Sequence, residues 1–157
     1  MRKLSLFSLI AAGTVGAPPL EALGQSEASL VRFVVESAIN EALEVEDLQP
    51  VVCIAVKGLA DREARDARSE ERPTEAPTGI SLTGASDCSE HRLGATHTST
   101  GRQAVIYKIG VGELVDDQAT YTFGWFRTGL NAGASECNAT WDAGGWTRRK
   151  CRPLWIS

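Results

Sequence analysis

The sequence has no run of about 20 apolar residues, the length a membrane-spanning helix needs. No two of its four cysteines stand as Cys-x-x-Cys, so the usual redox and zinc-ribbon motifs are missing. Gly-x-Ser-x-Gly is missing too, and with it the serine nucleophile elbow. There is no glycine-rich phosphate loop, and no EF-hand glycine follows Glu44, Glu46 and Asp47. Asp116 and Asp117 are adjacent, so on a regular strand they would point to opposite faces; they are better explained as turn residues. A large charge of one sign is also lacking: a net of −4 over 157 residues gives no global attraction for nucleic acid. No cofactor is expected from these motifs, and a non-catalytic role is favoured over an enzyme.

What is present reads as one globular domain, with 43% hydrophobic and 23% charged residues. The charge is unevenly spread. Residues 41–90 hold twelve acids against five bases, whereas residues 91–157 hold eight bases against five acids. The start reads as an export signal: Arg2 and Lys3 precede an uncharged stretch from Leu4 to Leu20, broken by Gly13, Gly16 and the pair Pro18-Pro19. Ala22-Leu23-Gly24 supplies small residues at the −3 and −1 positions, which places cleavage before Gln25. The expected division is a signal peptide over 1–24 and a single α+β domain over 25–157. The destination is then the periplasm or the extracellular space, where four cysteines favour disulfides.

Ser26 to Leu43 is the clearest helix. Ser26 caps it, Glu27 suits its first turn, and Val31, Val34, Val35, Ala38 and Ala42 form a stripe widened by Leu30, Phe33 and Ile39. Pro50 closes this region. Val51 to Val56 is a short continuous apolar run, read as a buried strand. Residues 59–79 form a charged excursion, expected to be mobile, in which Asp61 to Arg68 has the i,i+4 pairs of a solvated helix. Ile80 to Thr83 is a short strand, and Asp87 to Arg102 a polar loop. From Gln103 on, alternation predicts a meander. Val105, Tyr107, Ile109 and Val111 share one face, Gly110-Val111-Gly112 marks a bulge, and Tyr121, Phe123 and Trp125 lie opposite Thr120, Thr122 and Phe126. Turns are expected at 115–118 and at 131–133.

The stretch CNATWDAGGWTRRKC, residues 137 to 151, is the last hairpin. A turn centred on Gly144 places Cys137 opposite Cys151 and Trp141 opposite Thr147, with Trp146 one step away. A Cys137–Cys151 bridge closes a 15-residue loop, worth roughly 3 kcal/mol in the chain-entropy model. Cys53 is then left to pair with Cys88; the other two pairings require crossings that nothing in the pattern calls for. One long helix packed on a curved antiparallel sheet is an α+β fold. This order resembles a cystatin-like or NTF2-like topology. The ending Leu154-Trp155-Ile156-Ser157, after Gly144-Gly145-Trp146, also resembles small exported bacterial proteins of unknown function with a C-terminal Trp-Ile-Ser, a resemblance that brings no catalytic residues with it.

Three groups of residues are candidates for function. Arg148, Lys150 and Arg152 would share one face of the last strand with Trp146 at its end, a surface suited to an anionic ligand or an acidic protein patch. Edge protection is the competing explanation of the same charges. Tyr121 and Trp125 would line a pocket between helix and sheet, or simply belong to the core. Cys88, His91 and His97 are the only metal-like set, with spacing that matches no familiar site. The favoured reading is an exported binding module for a protein partner or small anionic ligand, one form being an inhibitor of a secreted hydrolase. The alternatives are a metal-binding protein and a small enzyme with a pocket under the helix.

Overall fold

The computed structural model describes residues 26–44 and 51–157. The expected signal peptide over 1–24 and the helix closure at Pro50 lie outside the described residues. Among the described residues the main elements, in chain order, are a helix, α1 (Glu27–Glu44), and nine strands. These are β1 (Val51–Lys57), β2 (Arg65–Asp66), β3 (Ser81–Gly84), β4 (Cys88–His91), β5 (Gly94–His97), β6 (Gln103–Val115), β7 (Gln118–Thr128), β8 (Asn131–Asp142) and β9 (Gly145–Ile156).

Helix α1 begins where the sequence places it. The Ser26 hydroxyl accepts a hydrogen bond from the Ser29 amide at 3.2 Å, satisfying one of the orphan donors of the first turn. Its apolar stripe is rich in β-branched valine, which has modest helix propensity, so packing rather than propensity holds the helix. Leu30, Val31, Val34, Val35, Ala38, Ile39 and Ala42 are all buried in one core with Tyr107, Ile109, Tyr121, Phe123 and Cys137 of the sheet. Each fully buried valine or leucine contributes about 1.5–3 kcal/mol relative to exposure.

The sheet is mixed, which corrects the expectation of an antiparallel one. Its main order is β2-β1-β6-β7-β8-β9, with β3 also on β1 and the β4–β5 hairpin joined to β6. Strand β1 runs parallel to β6, from Val51 opposite Ala104 to Lys57 opposite Gly110, and parallel to β3 on its other edge. The physical reason is burial. Six consecutive β1 residues are buried, and a strand covered on both faces is typical of parallel pairing reached by a long crossover.

Two local expectations are also corrected. Residues 61–68 form no helix: the Asp61 carboxylate instead takes the Gly58 amide and Arg65 Nε, both at 2.9 Å. Arg65 then turns its fork onto Glu71, with Nη1–Oε2 and Nη2–Oε1 both 2.7 Å, while Arg65–Asp66 pairs with β1 as strand β2. The i,i+4 spacing is used, but across a turn. Residues 87–102 are a hairpin rather than a loop, and a Cys53–Cys88 disulfide ties it to β1. Val51, Cys53, Ala95, Ala104 and Ile106 make a second, smaller apolar cluster there.

The four long strands β6 to β9 form the expected meander. The Asp116-Asp117 turn is present, with Asp116 at φ 52°. The next turn falls at Gly129-Leu130, two residues earlier than expected, because Asn131 already pairs with Thr128. A register shift between Val111 and Glu113 leaves Gly112 as the bulge. A Cβ there would come within 2.8 Å of Thr120 Oγ1, so glycine fits the close approach.

Candidate functional site

The last hairpin turns through Ala143 and Gly144, at φ 44° and 85°, the two left-handed residues of a two-residue hairpin loop. That turn sets Trp141 directly opposite Trp146, not opposite Thr147, and the rings meet edge-on at 5.4 Å. Cys137 still faces Cys151, and the two are disulfide-bonded, because Arg149 is an extra residue between Arg148 and Lys150. The bulge restores the cysteine pairing and divides the basic row.

Arg148 stands opposite Ala139, on the helix side of the sheet, and its Nη1 lies 3.5 Å from Glu41 Oε1 of α1. Lys150 stands opposite Asn138 and Arg152 opposite Glu136, on the other side, with Arg152 Nη2 2.9 Å from Glu136 Oε1. So Arg148, Lys150 and Arg152 do not share a face. Nor does Trp146 end an exposed strip. It is 8% exposed, and its Nε1 donates to Ser29 Oγ of α1 at 2.9 Å.

On the helix side Tyr121 is buried within the core, and its hydroxyl is sealed from water without a hydrogen bond. Burial raises the phenol's pKa above its usual 10.0, and the charge and donor groups of the nearby Arg148 guanidinium oppose that rise. Burial raises Tyr107 likewise, and the donor groups and charge of Arg127 oppose it. The Glu41 carboxylate acts on both phenols. Trp125 lies at the margin, donating from Nε1 to Asn131 Oδ1 at 3.3 Å. A Cβ on Gly133 would come within 2.6 Å of its ring, so only glycine lets the indole lie there. Tyr121 and Trp125 share the helix side, one inside the core and one at its rim.

A further surface escaped the sequence reading. Leu93 at the β4–β5 turn is 88% exposed and Leu130 at the β7–β8 turn 91% exposed. With Arg92, Thr128 and Gly129 they line a cleft of about 400 Å³. The end of β9 arrives at the same place: Ser157 Oγ donates to Gly129 O at 3.4 Å, and its amide to Ala132 O at 2.9 Å. Leu154, Trp155 and Ile156, immediately before it, are also exposed. Two leucines at turns, where polar residues are the norm, and an apolar triplet closing a basic strand were the available signals. Strand β9 is the last of the sheet, so its outer edge has no strand beside it among the described residues.

No family model, curated protein or solved structure matches the chain.

The metal alternative loses its sulfur. Cys88 is bonded to Cys53, and no cysteine among the described residues is free. A disulfide sulfur is not the thiolate that zinc or copper needs. His91 Nε2 lies 2.9 Å from Thr96 Oγ1, and His97 Nδ1 lies 2.8 Å from Thr100 Oγ1. Cys88, His91 and His97 are neighbours in one hairpin, each already engaged.

Proposed function

We propose that the chain is an exported, non-catalytic binding module that takes an extended segment of a protein partner along β9. The observation that carries this reading is the exposed apolar end, Leu154, Trp155 and Ile156, of a strand whose outer edge is unpaired among the described residues and which ends at Ser157 beside the Leu93–Leu130 cleft. A free edge offers backbone hydrogen bonds to an added strand, and adjacent apolar pockets select its side chains. Exposed apolar patches of this kind mark interaction sites. Two disulfides and the lack of a membrane-length helix among the described residues are compatible with export. A cystatin-like or NTF2-like curvature of the sheet belongs to the same proposal, supported by the bulges in β6 and β9, which bend strands.

Charge favours a different protein over a second copy. Arg148, Arg149, Lys150 and Arg152 follow one another on β9, and antiparallel pairing with itself would set cations against cations. The fitting partner segment carries acidic residues beside aliphatic ones. An inhibitor of a secreted hydrolase is one form of this reading, with Leu93 and Leu130 as the wedge.

Calorimetric titration of the purified chain with a synthetic peptide of alternating valine and glutamate tests the reading. Saturable binding, weakened about tenfold or more by Trp155→Ser, is the expected result. Absence of binding, or binding indifferent to Trp155→Ser and to salt, contradicts it.

A further inference from the structure

The two disulfides stand in opposite surroundings. Cys53 is fully buried in β1, paired with Thr83 of β3 on one edge and Ile106 of β6 on the other, among the apolar side chains of Val51, Ala95 and Ala104. Its partner Cys88 is half-buried, and the charged residues within two positions of it are acids, Asp87 and Glu90. Lys108 answers Glu90, whereas Asp87 makes no ion pair among the described residues. Cys151 is exposed on β9, which is paired on one edge only among the described residues, and is bonded to Cys137 of β8, which is 2% exposed. The charged residues within two positions of Cys151 are all bases, Arg149, Lys150 and Arg152. Asp142 answers Arg149 and Glu136 answers Arg152, each at 2.9 Å, whereas Lys150 makes no ion pair among the described residues. One bridge therefore lies inside the sheet with a spare acid beside it, and the other lies at the edge with a spare base.

We propose that the Cys137–Cys151 bridge is a thiol-exchange site, opened from Cys151 by a dithiol, while Cys53–Cys88 stays closed. A thiolate of the dithiol attacks Cys151 Sγ and forms a mixed disulfide with it. The Cys137–Cys151 bond breaks in the same step, and Cys137 leaves as a thiolate that takes up a proton. The second thiol of the dithiol then attacks its own sulfur in the mixed disulfide and releases Cys151. The dithiol loses two electrons and two protons, and the two cysteines gain them. Exposed disulfides are the labile class, and cations beside a cysteine stabilise its thiolate and so the reduced form. Arg148 adds a cation on the face that Cys137 shares, opposite Ala139, two residues along β8. At the other bridge an attack on Cys88 would expel Cys53 as a thiolate into an apolar cluster, where the charge is disfavoured. Opening the edge bridge removes the cross-link on β9 beyond the Arg149 bulge, so that residues 150–156 are held by pairing with β8 alone. This site stands whether or not β9 takes a partner strand.

The test equilibrates the full chain with dithiothreitol at graded ratios of reduced to oxidised reagent, alkylates the free thiols and locates them by peptide mass spectrometry. Circular dichroism of each sample reports whether the chain is still folded. Cys137 and Cys151 are expected to be half-reduced, in folded chain, at a ratio about tenfold or more below the one that opens Cys53–Cys88. Lys150→Glu should raise the ratio needed for the edge bridge about twofold or more and leave the inner bridge unchanged. The proposal is overturned if both bridges open at the same ratio, if Cys53–Cys88 opens first, or if neither opens before the chain unfolds. It is overturned equally if Lys150→Glu shifts both bridges alike or shifts neither.

Discussion

Glu71 shows how one residue organises a segment that looked unstructured. Its carboxylate is buried at 1% exposure and takes two 2.7 Å bonds from Arg65 and one from the Arg68 amide. Burial alone would raise its pKa, but the Arg65 fork and the Arg68 amide outweigh burial and hold it below the usual 4.5. A depressed acid stabilises the fold above its unfolded pKa, and that part is lost as pH falls through the folded value. Glu71→Gln leaves Arg65 without its buried partner and should cost about 3 kcal/mol in urea unfolding at neutral pH. The variant should also lose less stability than the parent between about pH 5 and pH 3. At the alkaline end, Tyr107 and Tyr121 are raised above 10.0 by burial. Their contribution is whole below pH 10 and declines as pH rises towards their folded values, so phenolate absorbance should lag behind that of the unfolded chain. At this scale the sequence revealed the Asp61–Arg65 spacing but not its use. The same i,i+4 pair serves a helix or a turn, and only Glu71, six residues beyond Arg65, decides between them.

At the scale of elements, the last hairpin was the most legible part of the chain. Alternation, a glycine centre and flanking cysteines encode an antiparallel pair locally, so both disulfides followed from pattern. The bulge at Arg149 was not legible, because a centre at Gly144 and a two-residue turn at 143–144 give the same cysteine pairing and differ only in which residue is extra. That one residue moves Arg148 to the opposite face from Lys150 and Arg152. Asparagine tolerates the left-handed conformation that Ala143 adopts at φ 44°, so Ala143→Asn should stabilise by about 1 kcal/mol and raise Tm by a few degrees. Replacing Cys137 and Cys151 together with alanine should cost about 3 kcal/mol, read by thermal unfolding of the oxidised parent against the variant. The parallel pairing of β1 with β6 was not foreseen. Its register is set by contacts across a connection of some 45 residues, although the unbroken run Val51–Val56 carried the hint.

Taken whole, the sheet is built differently at its two ends. Near β1 it is sealed: helix, strands β2 and β3 and the Cys53–Cys88 bridge leave six residues in a row buried. Near β9 it is open, with every residue from Thr147 to Ile156 exposed and one edge unpaired among the described residues. Charge follows the same division, with fifteen of the twenty acids before residue 91 and a net positive charge after it. Stability is therefore concentrated away from β9, the surface proposed to meet a partner. Hydrogen exchange of the β9 amides, with and without the valine–glutamate peptide, tests this most directly. The account expects the outward amides of β9 to exchange fast in the free chain at all concentrations and to slow when the peptide is added. Outward amides that are already protected as the chain self-associates, or that the peptide leaves unchanged, would contradict it.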